Sequence, residues 1–138
     1  MSSKSQQFYR AGVQRLDTAR RLSEELQIYL DARYLAGYAA ECALKSLLFA
    51  RTPPRQHSAL EEEFKASGKG HNIEWLLEQL VRRVGENIPS DVRRLVGRVR
   101  SRWDVELRYA SGRGRFVETS ELIGFCDKLL HWTKGRMQ

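Results

Sequence analysis

Arginine dominates the chemistry available to this chain: 18 arginines stand against 6 lysines, and ten of them fall between Arg82 and Arg115. Only Glu86, Asp91, Asp104 and Glu106 oppose them there, so that stretch carries +6 of the formal net charge of +7. A planar guanidinium offers paired donors that match phosphate and carboxylate oxygens, which lysine does not. The cluster therefore points to an anionic partner. At 100° per residue, Arg94, Arg98 and Arg102 form one ridge beside an apolar stripe of Val92, Leu95, Val96, Val99, Trp103 and Leu107. Arg93 and Arg100 border the other side of that stripe. Arg108, Arg113 and Arg115 extend the charge into a loop, Ser111-Gly112-Arg113-Gly114-Arg115, that reads as flexible. Fixed cations on a helix followed by a basic loop suit a phosphate backbone, and Tyr109 could stack on a base. Arg94, Arg98, Arg102, Arg108, Tyr109 and Arg113 are thus the expected contacts with RNA or a nucleotide. An acidic protein surface would accept the same layout, and a solvated basic face is the plain alternative for any one arginine.

A second constellation is Glu41 and Lys45, spaced i, i+4 with the glutamate first, the favourable order for a helical pair. Their neighbours Ala40, Cys42, Ala43, Leu44 and Leu47 are apolar, so partial burial of one or both charges is expected. Buried charges need partners, because desolvation is costly. Arg108 is a possible third member. His71, in Gly70-His71-Asn72-Ile73, reads first as a capping or packing histidine and second as a proton-transfer group. Cys42 and Cys126 sit in apolar runs and read as small core residues. With the two cysteines and three histidines all far apart, no metal-ligand spacing exists, and no cofactor is expected.

These groups need a scaffold, and apolar spacing supplies a helical one. A first helix carries Phe8, Val13, Leu16, Ala19, Leu22 and Leu26 on one side. A second, from Ala32 to about Arg51 with Asp31 as its cap, is apolar around most of its girth and belongs at the centre. Pro53-Pro54 stops it, and a polar connection with a short helix at Ala59–Lys65 follows. A third helix spans Ile73 to Val84 behind the cap Asn72. The fourth begins at Pro89-Ser90 and runs through Leu107. The last is capped by Thr119 or Ser120, with Leu122, Cys126, Leu129, Leu130 and Thr133 inward. No alternation suggests a sheet. Four or five antiparallel helices make an all-α bundle, and 138 residues suit one domain. Hydrophobic residues at 41% and charged ones at 30% are a globular balance, and no run approaches a membrane span. No apolar segment follows the polar first residues, so a secretory signal is not expected and the cytoplasm is.

Tyr34-Leu35-Ala36-Gly37-Tyr38-Ala39-Ala40-Glu41-Cys42-Ala43-Leu44-Lys45-Ser46-Leu47-Leu48 resembles the second-helix signature of HEPN domains. Gly70-His71-Asn72-Ile73 is similar to their histidine-led helix, and Trp103 with Arg108-Tyr109 to a tryptophan and Arg-Tyr pair further on. The three matches come in the family's order and span about Gln6 to Trp132. The resemblance implies a small helical bundle that often dimerises and binds RNA or nucleotides. It also implies a toxin–antitoxin or defence setting, with an antitoxin or nucleotidyltransferase as protein partner. Active relatives cut RNA without metal, using an arginine and a histidine four to six residues apart. Here no histidine follows Arg102 or Arg108 until His131, and the one formal match, Arg51 to His57, crosses the double proline. The expectation is therefore a binding domain. A metal-independent ribonuclease with an atypical site, for which Arg108, His71 and His57 are the candidates, is the alternative, and a protein-interaction subunit is a third reading.

Overall fold

A computed structural model describes residues 2–138, in which six α-helices form an all-helical bundle: α1 Ser3–Glu24, α2 Tyr29–Arg51, α3 His57–Ser67, α4 Ile73–Val84, α5 Ser90–Arg102 and α6 Phe116–Met137. That is slightly more helices than the sequence led us to expect. The connection after the double proline folds into a short 3-10 turn, Pro54–Gln56, and then the whole of α3. Among the described residues there is no strand.

Helix α2 is the hub because its side chains are small where neighbours must come close. Fourteen of its residues are buried, and it packs on α1, α4 and α6. Gly12 of α1 lies so near α2 and α6 that an added methyl would sit 3.2 Å from Cys42 and Leu130. Side-chain contacts set the directions. Phe8 stacks on Phe49 while Arg15 covers Tyr38, so α1 and α2 run antiparallel. Thr119 bonds Tyr29 at one end and Arg136 approaches Arg51 at the other, so α6 runs alongside α2 in the same sense. Ion pairs from Glu78 to Arg93 and from Glu74 to Arg100 make α4 and α5 antiparallel, and α5 then returns against α6.

Several boundaries differ from those read in the sequence, each for a local reason. Helix α2 begins at Tyr29, placing Asp31 inside the first turn, where its charge favours the helix dipole. Helix α6 begins at Phe116, so Thr119 is not its cap. It is buried, and its hydroxyl donates to the Tyr29 carbonyl at 3.2 Å. Val13 and Leu26 leave the inner stripe of α1 and stand exposed. The largest difference is in α5, which ends at Arg102 instead of continuing to Leu107. Trp103 adopts an extended backbone, φ −149° and ψ 138°, and swings its indole onto Gly37 of α2. A methyl on Gly37 would lie 2.1 Å from that ring, so only glycine leaves room. Trp103 Nε1 donates to the Tyr34 carbonyl at 2.9 Å, and Arg33 Nε to the Arg102 carbonyl at 2.7 Å. A helix end that loses its intrahelical partners is thereby satisfied by α2. Asp104 then caps a 3-10 turn, Val105–Tyr109, by accepting from the Glu106 amide. Asn72 caps α4 as expected, accepting from the amides of Glu74 and Trp75.

Candidate functional site

On α5, the arginines divide by what α4 and α6 place beside them. Arg93 meets Glu78 at 3.4 Å, and Arg100 meets Glu74 and Asp104 at 3.9 and 3.8 Å. The flank toward α4 is therefore largely neutralised. The flank toward α6 is not. Arg94 and Arg98 share a groove of about 490 Å³ with Leu95, Asp91, Lys128 and Trp132, and no carboxylate among the described residues pairs with Arg94, Arg98 or Lys128. Arg102 closes the far end of this ridge and is bound to Glu121 at 3.0 Å. Phe125 lies under both Arg98 and Arg102, at 5.8 and 5.2 Å from ring centre to guanidinium, where the ring face attracts both cations. Lys128 and Trp132 had no signal in the sequence, because only the packing of α6 on α5 brings them to the ridge.

Arg108, Tyr109 and Arg113 belong to a separate place, beyond the end of α5. Arg108 lies 4.7 Å over the Tyr109 ring, and Tyr109 is 70% exposed, so the pair presents a cation on an open aromatic face. The Gly-Arg loop is tied down, in contrast to the flexible segment its composition suggested. The Arg113 carbonyl accepts from the Leu30 amide at 2.8 Å, and Gly114, with φ +81°, passes so close to α2 that an added methyl would stand 2.8 Å from the Leu30 nitrogen.

A third arrangement surrounds Glu41. Its carboxylate is 2% exposed and accepts from Lys45 Nζ at 2.9 Å through one oxygen and bonds His71 Nδ1 at 3.0 Å through the other. The expected third member, Arg108, is absent from it. His71 fills that place because the α3–α4 turn delivers it to the middle of α2. Thirty residues separate His71 from Glu41, a distance that no local spacing rule spans. Tyr38 lies beside the His71 ring, and burial together with the Glu41 charge pushes its hydroxyl above the usual tyrosine range. Burial, with Glu41 adjacent, likewise pushes the Cys42 thiol up to about 11, and burial pushes Cys126 higher still, so both cysteines are inert core residues.

His57 is not near any of these groups. It is buried against Phe49, and its Nε2 lies 3.1 and 2.8 Å from the carbonyls of Phe49 and Thr52, closing the end of α2. Arg51, its partner in the formal spacing, instead joins Arg136 on Glu86. Burial alone would raise the Glu86 pKa, but hydrogen bonds from Arg51 and Arg136 outweigh it and hold the carboxyl below its ordinary range. No three His, Cys, Asp or Glu side chains among the described residues gather as metal ligands, and no helix is long and apolar enough to cross a membrane.

An all-helical bundle of this length, with a polar cluster in its central helix and a tryptophan sealing the end of α5, defines a class of small helical domains. Within it, the sequence profile of the HEPN domain matches residues 5–136, nearly the whole chain, and the chain belongs to that family. No curated protein and no solved structure matches it significantly.

Proposed function

We propose that this HEPN domain binds RNA, or a nucleotide, along the α5–α6 groove. The observation that carries this reading is the division on α5: Arg94, Arg98 and Lys128 keep their charge unpaired while Arg93 and Arg100 do not. Unpaired guanidinium groups on a packed helix need no reorganisation to meet phosphates. Arg102 borders the ridge, and Arg108, Tyr109 and Arg113 extend the path past the end of α5, where a base can stack on the exposed tyrosine. The setting we infer with it is a toxin–antitoxin or defence system, with a homodimer and an antitoxin or nucleotidyltransferase as protein partner. Metal-independent RNA cleavage at an atypical site, with Arg108 and His71 as its candidates, is the second reading; no hydrogen bond or ion pair among the described residues links Arg108 to the Glu41–His71 cluster.

The test is the affinity of the protein for a single-stranded RNA at several salt concentrations. Arg94→Ala with Arg98→Ala removes two phosphate contacts, so the slope of log affinity against log salt should flatten by about 1.4. Absence of RNA and nucleotide binding at low salt would sink the proposal.

A further inference from the structure

Where α1, α2, α3 and the α3–α4 turn meet, a cavity of about 450 Å³ opens over the Glu41 cluster, lined by Lys4, Phe8, Lys45, Phe64 and His71 among others. It shares no residue with the α5–α6 groove. The residue Lys45 is 8% exposed, yet it borders this cavity. An ammonium has three N–H donors. One goes to Glu41 at 2.9 Å, and no other acceptor among the described residues takes the remaining two. The Phe8 and Phe64 rings flank the same nitrogen at 5.7 and 5.2 Å. These rings stabilise its charge through their faces but accept no conventional hydrogen bond.

The carboxylates around the cavity are already engaged. Glu41 holds Lys45 and His71, and Glu61 is paired with Lys4 at 2.6 Å. Lys65 at the mouth has only an exposed contact to Glu62 at 3.8 Å, a kind of pair that contributes little. The surplus is thus of donors, above a lining that is mostly aromatic and aliphatic. We infer that the cavity is a binding site for a small phosphate monoester with a planar, apolar ester group. Its phosphate would accept from Lys45 and, with the imidazole protonated on both nitrogens, from His71 Nε2, and its ring would lie against Phe8 and Phe64. Glu41 is then a positioning residue: it fixes the ring of His71 through Nδ1 and holds Lys45 at the floor. Three phosphate oxygens use this set of donors better than the two of a carboxylate. The inference is independent of RNA binding at α5.

Phenyl phosphate serves as the probe, titrated into the wild-type protein at low ionic strength by calorimetry and by NMR of the histidine rings. Saturable binding that moves the His71 signals is expected, with benzoate weaker by about tenfold. Glu41→Gln combined with Lys45→Met removes both buried charges together, which spares the fold the cost of an unpaired one. That variant should melt near the wild type and bind at least about tenfold more weakly. Lys4→Ala with Lys65→Ala, at the mouth, checks the same site without touching its floor and should weaken binding about threefold. Arg94→Ala with Arg98→Ala should leave the titration unchanged. No saturation by about 20 mM, a His71 signal that stays in place, benzoate binding equally well, or unaltered affinity in both lysine variants would overturn the inference.

Discussion

The Glu41 cluster and the α5–α6 ridge use charge in opposite ways. Around Glu41, a buried carboxylate is matched by Lys45 and His71, and the three are fixed to one another by hydrogen bonds. Along α5, Arg94 and Arg98 face solvent with no carboxylate partner among the described residues, held in place by the backbone of the helix and, for Arg98, by Phe125. Internal pairing makes the first a part of the structure's stability. Lack of pairing makes the second available to something else. The contrast separates two kinds of basic residue that look alike in composition: Lys45 neutralises a buried carboxylate, and Arg94 neutralises nothing within the fold.

The largest effect should come from Glu41→Ala, which leaves Lys45 buried without its counter-ion. A loss of about 3–5 kcal/mol in urea unfolding is expected. A loss below about 1 kcal/mol would mean that Lys45 reaches water unaided, and the cluster would then resemble the ridge. An intermediate effect is expected at Glu86, whose carboxyl is lowered in the folded state by Arg51 and Arg136. A lowered carboxylate contributes stability above its unfolded pKa and loses it as pH falls through the folded one. Acid titration of stability from near pH 4.5 downward should therefore be steeper in the wild type than in Glu86→Gln. Equal slopes would remove Glu86 from the set of structural charges. The smallest effect should be that of Arg94→Ala with Arg98→Ala on unfolding, within about 0.5 kcal/mol of the wild type. A larger loss would show that the ridge, too, serves the fold.

Much of this was legible beforehand. The apolar girth of the Ala32–Arg51 segment marked the central helix, Asn72 marked the start of α4, and the i, i+4 order of Glu41 and Lys45 marked a pair whose apolar neighbours pointed to partial burial of one or both charges. What failed depended on tertiary contact. Val92 to Leu107 kept helical spacing throughout, yet the fit of the Trp103 indole on Gly37 stabilises an early end that periodicity does not register. The two-sided basic border of α5 became one-sided because Glu74 and Glu78 come from another helix. His71 and Lys128 acquired their neighbours through chain crossings far apart in sequence.

The bond from the Leu30 amide to the Arg113 carbonyl has a practical consequence. An amide in the first turn of a helix has no partner within that helix, so any protection of Leu30 against deuterium exchange originates in the distant loop. Leu30 is thus a native reporter of whether the Gly-Arg segment is docked. A ligand that pulled the Arg113 backbone away would be recorded there, one residue into α2, as faster exchange at a single site while the helix itself stayed intact.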